Sequence, residues 1–523
     1  MSGIDFSIVF QNLFTWDVLL ALVIGVTTGI IFGAIPGLNA NLATSLLLPI
    51  SFGMKPVPGL VMLTAVYTST VYGGSITAIL IHTPGTGSSA ATAIDGFELT
   101  KQGRGLTAVG MATISSAFGG MLSAIALFSL AQPLASLSLT FGPLEYFALG
   151  ILGLTVVSAL AGKDPLKGLI AVCFGCLIGT VGVDPIKGVQ RFTFGLFDLQ
   201  NGLSNVAVLM GVFSISQVLI GIESIAKGEE TIVRDPDEYM KGNRLPSHRE
   251  FVECLPATIR SSIMGILIGI VPAAGAMISS WICYGQGKKW SKHPEMFGKG
   301  AMEGVVCSET GNNAATGGAL IPMMALGIPG SSVAGIILGG FVMHGLTPGF
   351  ALFRTSGNLC YSIIVGFFFA NLLMGIFGLL FSIPVAKIAV VPMKILYPLV
   401  LAVASMGCFS INGRMVDVFV MTIFGFIGYI LRKNKFDLSP LVLGLILGDI
   451  IEINLNNAII LSKGNFMGYV FSRPIALVLF VISAVSVIAP FVSPLIKKLF
   501  KRSKPVSASA ADVKETVGEQ DDI

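Results

Sequence analysis

The sequence predicts an all-α polytopic membrane protein, with about twelve transmembrane helices in two repeats of inverted topology, interrupted by broken helices or re-entrant hairpins. Three observations carry that expectation. Of the 523 residues, 53% are hydrophobic and only 11% charged, where soluble domains carry about 25% charge; mean hydropathy is +0.84. Apolar stretches of spanning length recur along the whole chain. One further stretch occurs twice, as GGSITAILIHTPGTGSS over 73–89 and as GGALIPMMALGIPGSS over 317–332.

In chain order, the opening MSGIDFSIVFQNLFTWDVLLALVIG has no basic n-region and carries Asp5 and Asp17. It reads as a retained first span, not a cleaved signal peptide. Apolar stretches follow at 17–35, 60–82, 106–131, 143–161, 166–183, 203–226, 259–284, 333–350, 360–383, 395–411, 415–431, 438–451 and 474–496. Each is expected to be helical, because lipid offers backbone polar groups no other partner. Shorter apolar pieces at 42–53, 74–83 and 318–328 read as half-spans or hairpin arms. This divides the chain into a first repeat over 1–226, a polar connecting loop over 227–258, a second repeat over 259–502 and a disordered polar tail over 503–523.

With one residue of slip, Gly73-Gly74 aligns with Gly317-Gly318, and Pro84-Gly85 with Pro329-Gly330. Proline removes a backbone donor and glycine releases the helix, so a helix breaks there. A second pair of breaks comes earlier in each half, GAIPGLNA around Pro36-Gly37 and GIVPAAGA around Pro272. Phe174-Gly175 and Phe424-Gly425 echo each other later. Breaks at membrane depth are tolerated where they line a cavity or are buried in protein, and matching breaks in two halves point to a transporter's binding site. Charge sets the orientation. Lys101 and Arg104 follow the Pro84 break, and only Lys55 follows Pro36. In the second half, Lys288, Lys289, Lys292 and Lys299 follow Pro272, and Arg354 alone follows Pro329. Basic residues mark cytoplasmic loops, so the reversal predicts inverted repeats. The basic runs at 432–435 and 497–504 read as cytoplasmic.

Beyond the first break lie Asn39 and Asn41, then Thr44 and Ser45. A helix restarting there offers free N–H groups and the positive end of its dipole to an anion. The second break offers Thr86, Gly87, Ser88 and Ser89; the second half offers Ala273, Ala274 and Gly275, then Gly330, Ser331 and Ser332. Four such starts near one plane make a donor-rich pocket suited to carboxylates. Each hydroxyl could instead bond back within its own helix or pack between helices. The run SETGNNAATGG over 308–318 is the most polar inside the apolar region. Its Glu309, Asn312, Asn313 and Thr316 could coordinate Na+ or wall the substrate site; Asn312 and Asn313 are taken as further substrate candidates, and Glu309 and Thr316 as candidates for a coupling ion, since hard cations take oxygen ligands. The first-half counterpart, Tyr67-Thr68-Ser69-Thr70-Val71-Tyr72, has hydroxyls in place of amides.

Other polar groups have plainer readings. Asp164 and Asp184 open DPLKG and DPIKG, which read as loop punctuation with each Asp capping a helix start. Arg191 attracts an anion or contacts a partner. His82 and His344 sit beside breaks, where a polar loop role outweighs a proton relay. The seven cysteines are scattered through apolar segments, including Cys173 and Cys176, and read as small packing residues without disulfide or metal. Four widely spaced histidines, and the absence of Walker A, HExxH or GxSxG patterns, argue against ATP hydrolysis and against a membrane enzyme. The small net charge of +4 argues against nucleic acid.

The ordered set GAIPGLNANLATSLLLPISFGM, YGGSITAILIHTPGTGSSAATAIDGFELTKQGRG, GVDPIKGVQRFTFG and SETGNNAATGGALIPMMALGIPGSS runs through most of residues 20–350. It resembles the large membrane subunit, a TctA-type permease, of the tripartite tricarboxylate transporter family. The resemblance implies a multi-pass permease of the bacterial inner membrane. It implies two partners, a small membrane subunit and a periplasmic binding protein that delivers the substrate. It further implies secondary import of citrate-like tricarboxylates or dicarboxylates driven by Na+ or H+, with no cofactor. Pro36, Pro84 and Pro329 match the family pattern, whereas Pro272 is followed by Ala273 in place of glycine. The competing reading is a passive organic-anion channel, which needs neither gradient nor delivery protein.

Overall fold

Helix boundaries fall where the chain's punctuation places them. The computed structural model describes residues 5–160, 164–184, 186–228, 243–272, 274–388 and 393–502. Residues 229–242 of the connecting loop and the 503–523 tail, expected to be disordered, lie outside the described residues. The first half comprises α1 (Phe6–Leu13), α2 (Trp16–Ala34), α3 (Ala40–Phe52), α4 (Pro56–Ile81), α5 (Ala90–Lys101), α6 (Gly105–Leu137), α7 (Pro143–Leu160), α8 (Pro165–Gly179) and α9 (Asn205–Ala226), the last with a π turn at Gly211–Ile215. The second comprises α10 (His248–Ile270), α11 (Gly275–Trp290), α12 (Met302–Leu326), α13 (Ser332–Met343), α14 (Gly357–Ile388), α15 (Met393–Asn412), α16 (Met415–Lys433), α17 (Ser439–Leu461) and α18 (Pro474–Arg502). Among the described residues, eight helices are long and apolar enough to cross a bilayer. The chain is an all-α polytopic membrane protein.

Several expected elements have different limits. The apolar run 259–284 is split at Pro272 into α10 and α11. The run 333–350 yields only α13, because the chain turns at Gly345 (φ 73°) and Gly349 (φ 112°). The pieces 74–83 and 318–328 are not separate half-spans; they are the C-terminal turns of α4 and α12. The connecting loop ends at Ser247, not 258: Ser247 caps α10 in a capping box with Glu250. A two-residue antiparallel pair, Gly182–Val183 with Gln190–Arg191, adds the only described strands.

α4 and α12 form the centre. Every residue of α4 from Val57 to Ile81 is buried, and so is α12 from Gly304 to Ala325. Hydroxyl, amide and glycine residues surround both helices, so neither offers lipid an unbroken apolar face. α2 packs along α4, and α10 along α12. Small residues permit the close approach: a Cβ on Gly29 would lie 2.7 Å from Ser69 Cβ, and one on Gly265 2.8 Å from Ala314 Cβ. α6 then packs on α12 and α14 on α4, so each half covers the other's central helix.

The two halves reproduce each other's contacts. Gly29 meets Val66 O and Gly265 meets Gly311 O; Gly85 meets Gly33 O and Gly330 meets Gly269 O. The partners Val66/Gly311, Ser69/Ala314, Gly74/Ala319 and Gly85/Gly330 are all 245 residues apart. The slip inferred between the two Gly-Gly pairs is therefore absent. Gly73 corresponds to Gly318, and Gly74 to Ala319.

Candidate functional site

Both long central helices end in a left-handed residue, His82 (φ 56°) after α4 and Gly327 (φ 75°) after α12. The chain then folds back along the helix it has left. Thr83 N donates to Thr77 O at 3.3 Å and Gly85 N to Gly74 O at 3.2 Å; Ile328 N donates to Pro322 O at 3.3 Å and Gly330 N to Ala319 O at 3.2 Å. Proline at 84 and 329 has no N–H to lose in this turn. A Cβ at Gly85 would stand 1.9 Å from Gly33 O, and one at Gly330 2.4 Å from Gly269 O. The next helix starts at once. Thr86 opens a capping box with Ser89, and Ser331 Oγ accepts from Ala334 N at 3.1 Å. At the earlier break, Gly37 (φ 88°) turns the chain, and Asn39 Oδ1 caps α3 by accepting from Leu42 N at 3.0 Å. Its counterpart, α11, starts from Gly275 (φ 57°) with no side-chain cap.

These segments meet across the halves. Ser332 Oγ donates to Asn41 Oδ1 at 2.9 Å, joining the first break of one half to the second break of the other. The equivalent positions, Met277 and Gly87, also meet: a Cβ on Gly87 would lie 3.2 Å from Met277 Cε. One crossing is thus polar and the other apolar. Beside the polar crossing, the Tyr67 and Ser331 hydroxyls are 3.0 Å apart. Near the apolar one, the Thr86, Ser88 and Ser89 hydroxyls bond among themselves, at 2.9 Å for Thr86–Ser88 and 3.2 Å for Thr86–Ser89. Thr44 Oγ1 in α3, Ser280 Oγ in α11 and Ser69 Oγ in α4 are buried without a protein partner. Buried hydroxyls of that kind call for an explanation, and Thr44 and Ser280 occupy matching places in the two halves.

A second polar cluster lies within the helices. Glu309, about a third of the way along α12, is completely buried. Ser75 (α4) and Thr92 (α5) donate to its Oε1, both at 2.5 Å, and Asn312 Nδ2 donates to the same oxygen at 3.1 Å. Ser116 (α6) donates to Oε2 at 2.8 Å. Asn312 therefore sits with Glu309 and not with the break loops. Asn313 Nδ2 points to Met374 Sδ at 3.5 Å, and Thr316 donates to Asn313 O at 2.7 Å within its own helix.

A profile described as the tripartite tricarboxylate transporter TctA family matches residues 19–443. The chain belongs to the TctA family. It is 38% identical over 453 residues, 87% of this chain and 89% of the relative, to an "uncharacterized 52.8 kDa protein in TAR-I ttuC' 3'region" of Agrobacterium vitis. It is 37% identical over 224 residues, 43% of this chain and 92% of the relative, to an uncharacterized protein in the TAR-II ttuC' 3'region of the same organism. No solved structure matches.

The stretch GVDPIKGVQRFTFG takes a specific shape in this TctA chain. Asp184 does not cap a helix. It closes a hairpin turn, accepting from Ile186 N at 2.8 Å and Lys187 N at 3.1 Å, and these donors hold its carboxyl below the usual carboxylate range. Asp164 does cap its helix, accepting from Leu166 N at 3.1 Å. Arg191 is engaged with Glu452 through both terminal nitrogens, Nη2 at 3.2 Å, so its charge is not free for a substrate. His82 packs edge-on against Phe97, with ring centroids 4.6 Å apart. All seven cysteines are free thiols. Reading the TctA sequence missed Ser75, Thr92 and Ser116. Their only signal was a hydroxyl inside a spanning stretch, which backbone bonding explains equally well.

Proposed function

We propose that this TctA chain is the large membrane subunit of a secondary importer for carboxylates of the citrate type, both tricarboxylates and dicarboxylates. It works in the bacterial inner membrane beside a small membrane subunit, takes its substrate from a periplasmic binding protein, and draws on a Na+ or H+ gradient. The two halves are inverted repeats, and the substrate lies where their broken segments cross. The Ser332–Asn41 contact between two restarting helices carries this reading. Helix starts present unpaired N–H groups and a positive dipole end, and the side chains around them are hydroxyls and amides. Such a site holds a carboxylate by donors alone and can release it again, because no fixed cation retains it. Asn39, Asn41, Thr86, Gly87, Ser88, Ser89, Gly330, Ser331 and Ser332 form this site. A carrier of this class moves its substrate without chemical change, so no enzymatic role is assigned.

The deciding experiment is accumulation of radiolabelled citrate or succinate in proteoliposomes holding the chain with its small subunit and binding protein. The reading predicts uptake above the external concentration, lost when the Na+ and H+ gradients are collapsed together. Equilibration that stops at the external concentration, whatever the gradients, identifies a passive anion channel instead.

A further inference from the structure

We propose that the pocket around Glu309 binds one Na+ ion, with Glu309, Ser75, Thr92, Ser116 and Asn312 as its oxygen ligands. This rests on the reading of an ion-coupled carrier and gives that carrier its ion and its site. Glu309 is fully buried, and an ionised carboxylate in such a place is costly unless compensated. Its four partners are three hydroxyls and one amide, at 2.5, 2.5, 2.8 and 3.1 Å, with no cationic side chain among them. Every one of these groups also carries an acceptor oxygen. A hydroxyl turns its hydrogen aside, and an amide exchanges N for O by half a turn. Asn312 Oδ1 is buried without a partner; that half-turn brings it to the carboxylate. The pocket then presents two carboxylate, three hydroxyl and one amide oxygen, a set for a hard cation. One negative charge balances one monovalent ion, whereas a divalent ion leaves excess charge in an apolar core. A proton needs a single oxygen of the carboxyl, and a protonated carboxyl accepts fewer bonds than the four donors offer.

The other half argues that packing alone does not require these groups. At the 245-residue separation, Thr64 stands for Glu309, Leu320 for Ser75 and Ile337 for Thr92. All three counterparts are buried, and two of them are aliphatic. The pocket also touches the substrate region. Thr92 lies on the first turn of α5, directly after the Thr86–Ser89 turn. An ion that draws Thr92 toward Glu309 fixes the helix start that the substrate meets.

The test is the unfolding temperature of the purified full-length chain in detergent, with Na+ exchanged against K+ or choline at constant ionic strength and pH. A bound ion stabilises the fold by RT ln(1 + c/Kd), c being the Na+ concentration, so the rise in unfolding temperature sets in near Kd and continues with the logarithm of concentration above it. Na+ is expected to raise that temperature where K+ and choline do not. Ser116→Ala and Thr92→Val are each expected to move the Na+ concentration at which the rise sets in up about tenfold or more, Glu309→Gln to abolish the response, and Thr316→Val to leave it unchanged. Ser116→Ala reads the site even if Glu309→Gln fails to fold. Absence of a Na+-specific response in the wild type, or an unmoved onset in both Ser116→Ala and Thr92→Val, overturns the proposal. Gradient-driven uptake without that response overturns this site alone. A Na+ response in a chain that never accumulates carboxylate overturns the importer and leaves the site.

Discussion

Gly85 stands where the chain has no room for a side chain, its added Cβ falling 1.9 Å from Gly33 O. Gly285, within α11, has nothing within 4 Å of the same position. Gly85→Ala is therefore expected to destabilise the protein by roughly 1–3 kcal/mol, as overpacked sites do. Gly285→Ala is expected to be neutral or to gain up to about 1 kcal/mol by removing a helical glycine. Unfolding temperatures of the two purified variants check this, and equal losses would contradict it. The Pro-Gly pairs were legible in sequence because their backbone chemistry is local. The hydroxyl partners of Glu309 were not. Thr70 and Thr113 bond the carbonyls of Val66 and Val109 in their own helices, at 2.7 Å each, while Ser75 and Ser116, in the same two helices, reach across to Glu309. Only packing separates the two uses.

At the scale of elements, α5 is tied to the other half through Asp95. Its Oδ1 accepts from Gly298 N at 2.7 Å, Gly300 N at 3.0 Å and Ala301 N at 2.9 Å, and its Oδ2 from Tyr284 at 2.9 Å. Asp95→Ala leaves these donors without their acceptor, at about 1–3 kcal/mol for each one that water does not reach. The expected result is a lower unfolding temperature and faster protease cleavage between residues 291 and 301. An unchanged cleavage rate there would show that Asp95 does not hold the loop. The helices stop near Pro36, Pro84, Pro272 and Pro329, as the sequence suggested, but the turn at Gly345 and Gly349 was not anticipated, nor how far the helices beside the breaks run. The Gly-Gly pairs looked like helix limits, yet Gly73 and Gly318 lie within unbroken helices. They are glycine because α2 and α10 press on them, Gly73 meeting Ile30 O and Gly318 meeting Ile266 O.

Over the whole molecule, two copies of one arrangement face each other with unequal contents. The first break of one half meets the second break of the other through Asn41 and Ser332, and the mirrored crossing is Met277 on Gly87. The proposed inversion of the repeats would place the ends of α3 and α11 on opposite sides of the membrane. Single cysteines at Lys55→Cys and Lys292→Cys should then react with an impermeant maleimide from opposite faces, and labelling from one face would refute the inversion. The family and the all-α membrane fold were legible from composition and ordered motifs. The inequality of the two crossings was not, because it depends on which side chains face each other across the halves. The most direct test of a substrate site at these crossings is alkylation of Ser332→Cys, in a background where the exposed Cys173 is alanine. Citrate or succinate, whichever the reconstituted system transports, is predicted to slow the reaction in a saturable way. A rate indifferent to the transported carboxylate would place the substrate elsewhere.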